Sequence, residues 1–228
     1  RGCIQEFPPY ERNIEKGKPR FNTPVKNGKT DASCFRNGGM GIRQDYPYFD
    51  TSTGKIVTLE GAINDCRKAN DEKPLKWKKG AIADISAYMA YTSRGNKINI
   101  VVPGDEGAQA AYKRGKEHFF GKRGQLNMSC ADCHYYNAGN RVRADLLSPA
   151  LGHPTHFPVY RSKWGELGTI QRRYGGCNKQ VRAKPFQAQS YHYKAHEYLE
   201  NYMRYGLAVN GPGASKLPIG HSGSRRTG

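Results

Sequence analysis

Thr58-Leu59, Cys66, Lys68, Lys73-Pro74 and Leu75 recur at identical offsets as Thr169-Ile170, Cys177, Lys179, Lys184-Pro185 and Phe186. Tyr88-Met89 with Tyr91 matches Tyr202-Met203 with Tyr205 once a gap of three residues is allowed, and Ser33-Cys34 corresponds to Ser129-Cys130. Aligned Cys, Lys, Lys-Pro and Tyr-Met together make chance a poor account. They predict two copies of one supersecondary unit, divided near Pro103-Gly104, with a first domain over residues 1–103 and a second over 104–228. Each copy closes on a helical pattern. Ile82, Ile85 and Met89 share a face in the first, and Tyr198, Leu199, Tyr202 and Met203 in the second, with Gly206 placed as a C-cap. Ala108, Ala111, Tyr112, Gly115 and Phe119 recur at helical spacing too, so the chain is expected to be mainly α.

That third helical pattern runs through a glycine-containing loop, Gly121 to Gly124, into Cys130-Ala131-Asp132-Cys133-His134. A bare Cys-x-x-Cys serves redox dithiols and zinc sites as well. Here a histidine follows at once, and no second cysteine pair with zinc spacing exists. Two thiols that form thioethers, with an imidazole beside them for iron, are the attachment site of a c-type haem. One covalent haem c is therefore expected, on Cys130, Cys133 and His134. An amphipathic helix leading into this run resembles the start of a cytochrome c domain. At the matching place the first copy reads Cys34-Phe35-Arg36-Asn37-Gly38, without the second cysteine or the histidine. The fold expected is thus two cytochrome c-like domains related by an internal repeat, the N-terminal one lacking haem.

Cys177 lies within Arg172-Arg173-Tyr174-Gly175-Gly176-Cys177-Asn178-Lys179. A thiolate is a stronger, anionic sixth ligand than methionine and lowers a haem potential. Neighbouring cations are expected to hold the sulfur ionised and to attract an anionic substrate, and the double glycine to admit a flat ring. A buried cysteine or a disulfide partner is the plainer reading of Cys177. Met203 then leads as the sixth ligand, with His153 and His156 behind it; Met128 stands too close to Cys130 to reach the other face.

The chain carries a net charge of +18, spread along its length, which suits acidic partners or small anions. The basic residues form no helix-turn-helix, zinc-finger or RRM pattern, so nucleic acid is not expected. No apolar run is long enough to span a membrane. Residue 1 is Arg with no apolar leader after it, so an exported protein is expected to have lost its signal. Haem attachment to Cys-x-x-Cys-His and persistent disulfides both point outside the bacterial cytoplasm, to the periplasm.

Thr58-Leu59, Ile63-Asn64-x-Cys66-Arg67, Pro74-Leu75, Ser93-Arg94-Gly95, the Cys130–His134 run and Arg173-x-x-x-Cys177-Asn178 together resemble the A subunit of the SoxAX cytochromes, from about Thr30 to about Gly213. These are the L-cysteine S-thiosulfotransferases of bacterial thiosulfate oxidation. Members have two cytochrome c domains and bind two haems or, in the C-terminal domain, one; the missing motif at Cys34 matches the single-haem type. The resemblance implies His134 and Cys177 as axial ligands and Arg173 as an active-site residue. It implies the coupling of thiosulfate to a cysteine thiol of a sulfur carrier protein (SoxYZ-like), with electrons leaving through haem to a small c-type cytochrome subunit (SoxX-like). Lys179 and Lys184 are candidates to share the role of Arg173, but their repetition at Lys68 and Lys73 argues that they serve the fold. A plain electron-transfer cytochrome is the competing function.

The repeat puts Cys34 at a thioether position and Cys66 at the distal position of a copy without cofactor. A Cys34–Cys66 disulfide is expected there, in preference to pairing with Cys3, which lies in a proline-rich arm outside the repeat.

Overall fold

A computed structural model of the chain describes residues 8–142, 145–203 and 209. Six α-helices carry it: α1 (Glu11–Asn22), α2 (Leu59–Ala69), α3 (Ala81–Thr92), α4 (Glu106–Phe120), α5 (Ile170–Gln180) and α6 (Tyr191–Tyr202). Three small antiparallel hairpins join them: β1 (Tyr48–Asp50) with β2 (Lys55–Val57), β3 (Arg141–Val142) with β4 (Asp145–Leu146), and β5 (Val159–Arg161) with β6 (Glu166–Gly168). The fold is helix-rich, as expected; the hairpins were not anticipated. Cys3, Tyr205 and Gly206, singled out above, lie outside the described residues.

The helices form where sequence pattern and caps agree. Thr58 ends the first hairpin and caps α2, its hydroxyl accepting from the Gly61 N–H. Asp105 does the same for α4 through the Ala108 N–H. Two helix crossings dominate the packing, α1 on α3 and α4 on α6, and each closes on a glycine. A Cβ at Gly17 would stand 2.1 Å from the Asp84 carbonyl oxygen, and one at Gly115 would stand 2.3 Å from that of Ala195. Only a residue without a side chain lets the backbones approach so closely.

The same comparison corrects one detail of the sequence alignment. Gly17 also meets Tyr88, and Gly115 meets Leu199. Leu199, not Tyr202, therefore stands where Tyr88 stands, and no gap is needed. Tyr202 is the last residue of α6 and is 38% exposed, and Met203 caps the helix.

Two of the three hairpins, β1–β2 and β5–β6, reach across the molecule. Phe49 and Ile56 of β1–β2 pack with Ala108, Ala111, Ala195 and Tyr198 at the α4–α6 crossing. Leu167 and Tyr160 of β5–β6 pack with Tyr10, Ile14, Ala83 and Ala87 at the α1–α3 crossing. Hydrogen bonds follow the exchange: the Thr58 hydroxyl meets Gln189 at 2.7 Å, and the Thr169 N–H donates to the Lys78 carbonyl at 3.0 Å. Lys78 and Gln189 both hold positive φ, as do Asp71 and Arg182, each pair at the same separation as Thr58 and Thr169.

Where the halves meet, two carboxyl groups are buried. Glu60 of α2 lies beside Arg43 and Ser86, and Glu197 of α6 takes a 2.8 Å hydrogen bond from the Gln171 amide. Arg43 is itself buried and donates to the carbonyls of Tyr46 (2.8 Å) and Pro154 (3.3 Å). Burial pushes both carboxyls up, Glu197 to about 8, and their mutual repulsion adds to it.

Candidate functional site

After α4 the chain turns through residues 121–129 and then locks a tight turn with its own side chains. The Ser129 N–H and hydroxyl donate to Asp132 Oδ2 at 2.7 and 2.9 Å, and the Asp132 N–H returns a bond to the Ser129 oxygen at 3.0 Å. A π-helical turn, Asp132–Tyr136, follows and carries Cys133 and His134. Cys130 faces inward and packs with Phe119, Ala131, Ala150 and Leu199.

His134 is held from behind: its Nδ1 stands 2.7 Å from the Ser148 carbonyl oxygen. A carbonyl only accepts, so Nδ1 carries the hydrogen and Nε2 keeps the lone pair. Behind it the Ser148 hydroxyl meets His153 Nε2 at 2.8 Å, and His153 Nδ1 stands 3.5 Å from Glu200 Oε1. The buried Glu200 also takes the Tyr174 hydroxyl hydrogen at 2.5 Å and lies 3.7 Å from His196. The His153 ring stands edge-on to His134 at 4.5 Å between centroids, so it supports that ring on its own side.

Helix α5 brings Cys177 to this group, within electrostatic reach of Cys130 and Cys133. Burial pushes the Cys177 thiol up; Arg173 and Arg161 pull it back without overcoming that cost. The two guanidinium groups favour the thiolate, as expected of neighbouring cations, against the desolvation that opposes it. Arg173 acts on Cys133 and His134 as well, and has no carboxylate partner among the described residues. Arg172, its neighbour, is committed elsewhere. It bonds Glu166 at 3.1 Å and lies over the Trp164 ring at 4.3 Å.

Arg161 was not singled out from the sequence. It ends β5, twelve residues before Arg173, and no local pattern ties it to Cys177. Burial lowers its pKa, and Arg173 lowers it further. Two guanidinium groups gathered beside one cysteine leave a local positive charge that suits an anion. Lys179 and Lys184 are exposed and stand apart from this group. Met203 packs near Cys130 at the end of α6, and His156 is buried in the turn Pro154–His156.

The donor set suits a c-type haem. Cys130 and Cys133 are separate thiols, not bonded to each other. His134 offers a nitrogen whose tautomer is fixed from behind, and Cys177 offers a sulfur within electrostatic reach of Cys133. In the first half the corresponding cysteines have another fate. Cys34 and Cys66 form a disulfide, S–S 2.02 Å, with Cα atoms 5.9 Å apart.

Residues 16–98 match the family model described as SoxA/TsdA, cytochrome c domain. The L-cysteine S-thiosulfotransferase subunit SoxA of Chlorobaculum tepidum is 54% identical over 213 residues, covering 93% of this chain and 74% of that protein. The chain belongs to the SoxA family. The SoxA subunit of Allochromatium vinosum is 50% identical over 215 residues, covering 94% of this chain and 76% of that protein. The solved SoxXA from P. pantotrophus superposes with a TM-score of 0.83 at 32% identity, covering 91% of this chain and 79% of that one. The SoxA/TsdA match ends before the Cys130–His134 run. No helix among the described residues is long and apolar enough to cross a membrane.

Proposed function

We propose that this chain is the haem-bearing, thiosulfate-coupling subunit of an L-cysteine S-thiosulfotransferase. The observation that carries the reading is the gathering of Arg173 and Arg161 around Cys177, with Arg173 acting on Cys133 and His134 as well. The overall change is R–SH + S2O3²⁻ → R–S–S–SO3⁻ + H⁺ + 2 e⁻. One S–S bond forms, the carrier S–H breaks, and the two sulfurs that join are oxidised.

Cys130 and Cys133 would hold the haem by thioethers, and His134 and Cys177 would ligate its iron. When bound, the haem accepts the electrons one at a time and passes them on. Arg173 and Arg161 neutralise the thiosulfate dianion and place it beside the Cys177 sulfur. The Ser148 carbonyl fixes the His134 tautomer, with His153 and Glu200 bracing the loop that carries it.

The domain reading supports a single haem. Last in each strand, Asp50 of β1 stands where Arg161 stands in β5; fourth in each helix, Ala62 of α2 stands where Arg173 stands in α5. The first half thus lacks the anion site as well as the attachment motif. Residues 1–103 are read as the haem-free copy and 104–228 as the haem-bearing one, with the hairpins exchanged between them. A small c-type cytochrome partner fits the solved relative, which is a SoxXA. A sulfur carrier with a substrate cysteine completes the reaction, and the periplasm is the compartment that suits both haem attachment and the disulfide.

The test is the EPR spectrum of the oxidised holoprotein, together with turnover of thiosulfate and a thiol carrier. A low-spin histidine–thiolate signal that disappears in Cys177→Ala, along with turnover, is expected. The same signal in that variant rules out Cys177 as the ligand.

A further inference from the structure

A cavity of about 270 Å³ opens between the C-terminal turns of α4, the start of α6 and the loop after α5. It contains none of Cys133, His134, Arg173 or Cys177. Its walls carry Arg114, Arg123, Lys184 and His192, against one acid, Glu117.

That acid is already engaged. Arg114 Nη1 donates to Glu117 at 3.0 Å, while its Nη2 donates to His192 Nε2 at 2.8 Å. His192 is held flat by Phe186, ring on ring at 4.2 Å and 11°. Arg123 has no carboxylate at all among the described residues. Its guanidinium is fixed by the His118 ring, the His118 carbonyl and the Gly121 carbonyl at 3.0 Å. Carbonyls and a neutral imidazole orient that charge without cancelling it. Lys184 likewise has no acidic partner among the described residues and is exposed at the rim. The cavity therefore holds three permanent cations, two of them positioned by packing, and one neutralised charge. The field is felt inside: burial, His196 and the charges of Arg123 and Arg114 push His118 down to about 2.

We propose that this cavity is a second anion site, separate from the Cys177 centre, which binds a small dianionic oxyanion. Fixed guanidinium forks suit the paired oxygens of a tetrahedral dianion, and a lysine at the rim adds an adaptable point charge. The volume admits such an ion with water around it. Sulfate, thiosulfate and phosphate share this chemistry, and the site does not rest on the reaction assigned to Cys177.

The test is isothermal titration of the holoprotein, without carrier, with sodium sulfate, thiosulfate and phosphate in turn at low ionic strength. Saturable sulfate binding is expected at the cavity, in addition to any at the Arg173–Arg161 centre. Arg123→Gln should weaken it about ten-fold or more, the loss expected when a charge-assisted bond is removed. Lys184→Gln should weaken it by a smaller factor, and Arg173→Ala should leave it unchanged. Tighter binding of the two sulfur oxyanions than of phosphate marks the site as one for the substrate class; equal binding marks it as a general dianion site. If Arg123→Gln loses haem, Lys184→Gln decides alone, since its side chain is exposed. Sulfate binding in Arg173→Ala that is absent, not saturable or undiminished by either cavity substitution overturns the proposal.

Discussion

Cys34 and Cys66 are bonded to each other across the first half, while Cys130 and Cys177, their counterparts in the alignment, remain separate thiols. Cys34 sits in the short helix Asp31–Cys34 and Cys66 in the last turns of α2. The bond joins the loop that would lead a haem motif to the helix that would bear its distal ligand.

Breaking that bond should cost stability without touching the haem. Cys66→Ser opens a loop that spans 32 residues of sequence separation. On the chain-entropy model this is worth roughly 3–4 kcal/mol, less any strain. The denaturant midpoint should fall accordingly while the haem absorbance per protein stays the same. An unchanged midpoint under non-reducing conditions would contradict the structural role.

Much of this was legible in the sequence because it rests on local spacing. The Cys130–His134 run, the helix at Ala108–Phe119, the paired Cys66 and Cys177 and the Cys34–Cys66 bond all follow from residues at fixed offsets. The hairpins were not legible. Each strand is two or three residues long with few inward side chains, such as Phe49 and Ile56, too short for an alternation to declare itself. Their exchange was hidden for a deeper reason: a pattern shows that Phe49 is buried, not which core receives it. The same holds for Arg161, Ser148 and Glu200, which reach Cys177 and His134 only through tertiary packing. Sequence proximity to Arg173 showed one cation beside Cys177 but not the desolvation that opposes it.

Replacing Cys177 with Met should separate haem binding from sulfur chemistry. Met is a neutral, weaker ligand, so the haem potential should rise and thiosulfate coupling should stop. Spectroelectrochemical titration and a carrier-thiosulfonate assay read the two effects. Full coupling in this variant would remove Cys177 from the chemistry.

The two guanidinium groups should matter unequally in kind but comparably in size. Arg173→Ala and Arg161→Gln each remove a charge-assisted contact worth roughly 1.5–3 kcal/mol, so thiosulfate use should fall about ten- to a hundred-fold. Both variants should keep haem, since neither residue belongs to the attachment motif. An unchanged rate in Arg161→Gln would confine the anion site to Arg173.

The buried seam should make stability depend on pH. Glu197 has its pKa raised from 4.5 to about 8, chiefly by burial and then by the nearby Glu60. A raised carboxyl holds a proton in the folded state that the unfolded chain releases. Its contribution is therefore fully present below about pH 4.5 and is lost as the pH rises to about 8. Arg43 offsets part of the loss, and Gln171 keeps the Glu197 oxygen bonded throughout. Glu197→Gln retains shape and one carbonyl acceptor for the Gln171 amide while removing the titration. Its unfolding free energy, followed by urea titration at several pH values between 4.5 and 8, should decline less steeply than that of the unchanged protein. Parallel curves for the two proteins across that window would show that the Glu197 proton is not linked to folding.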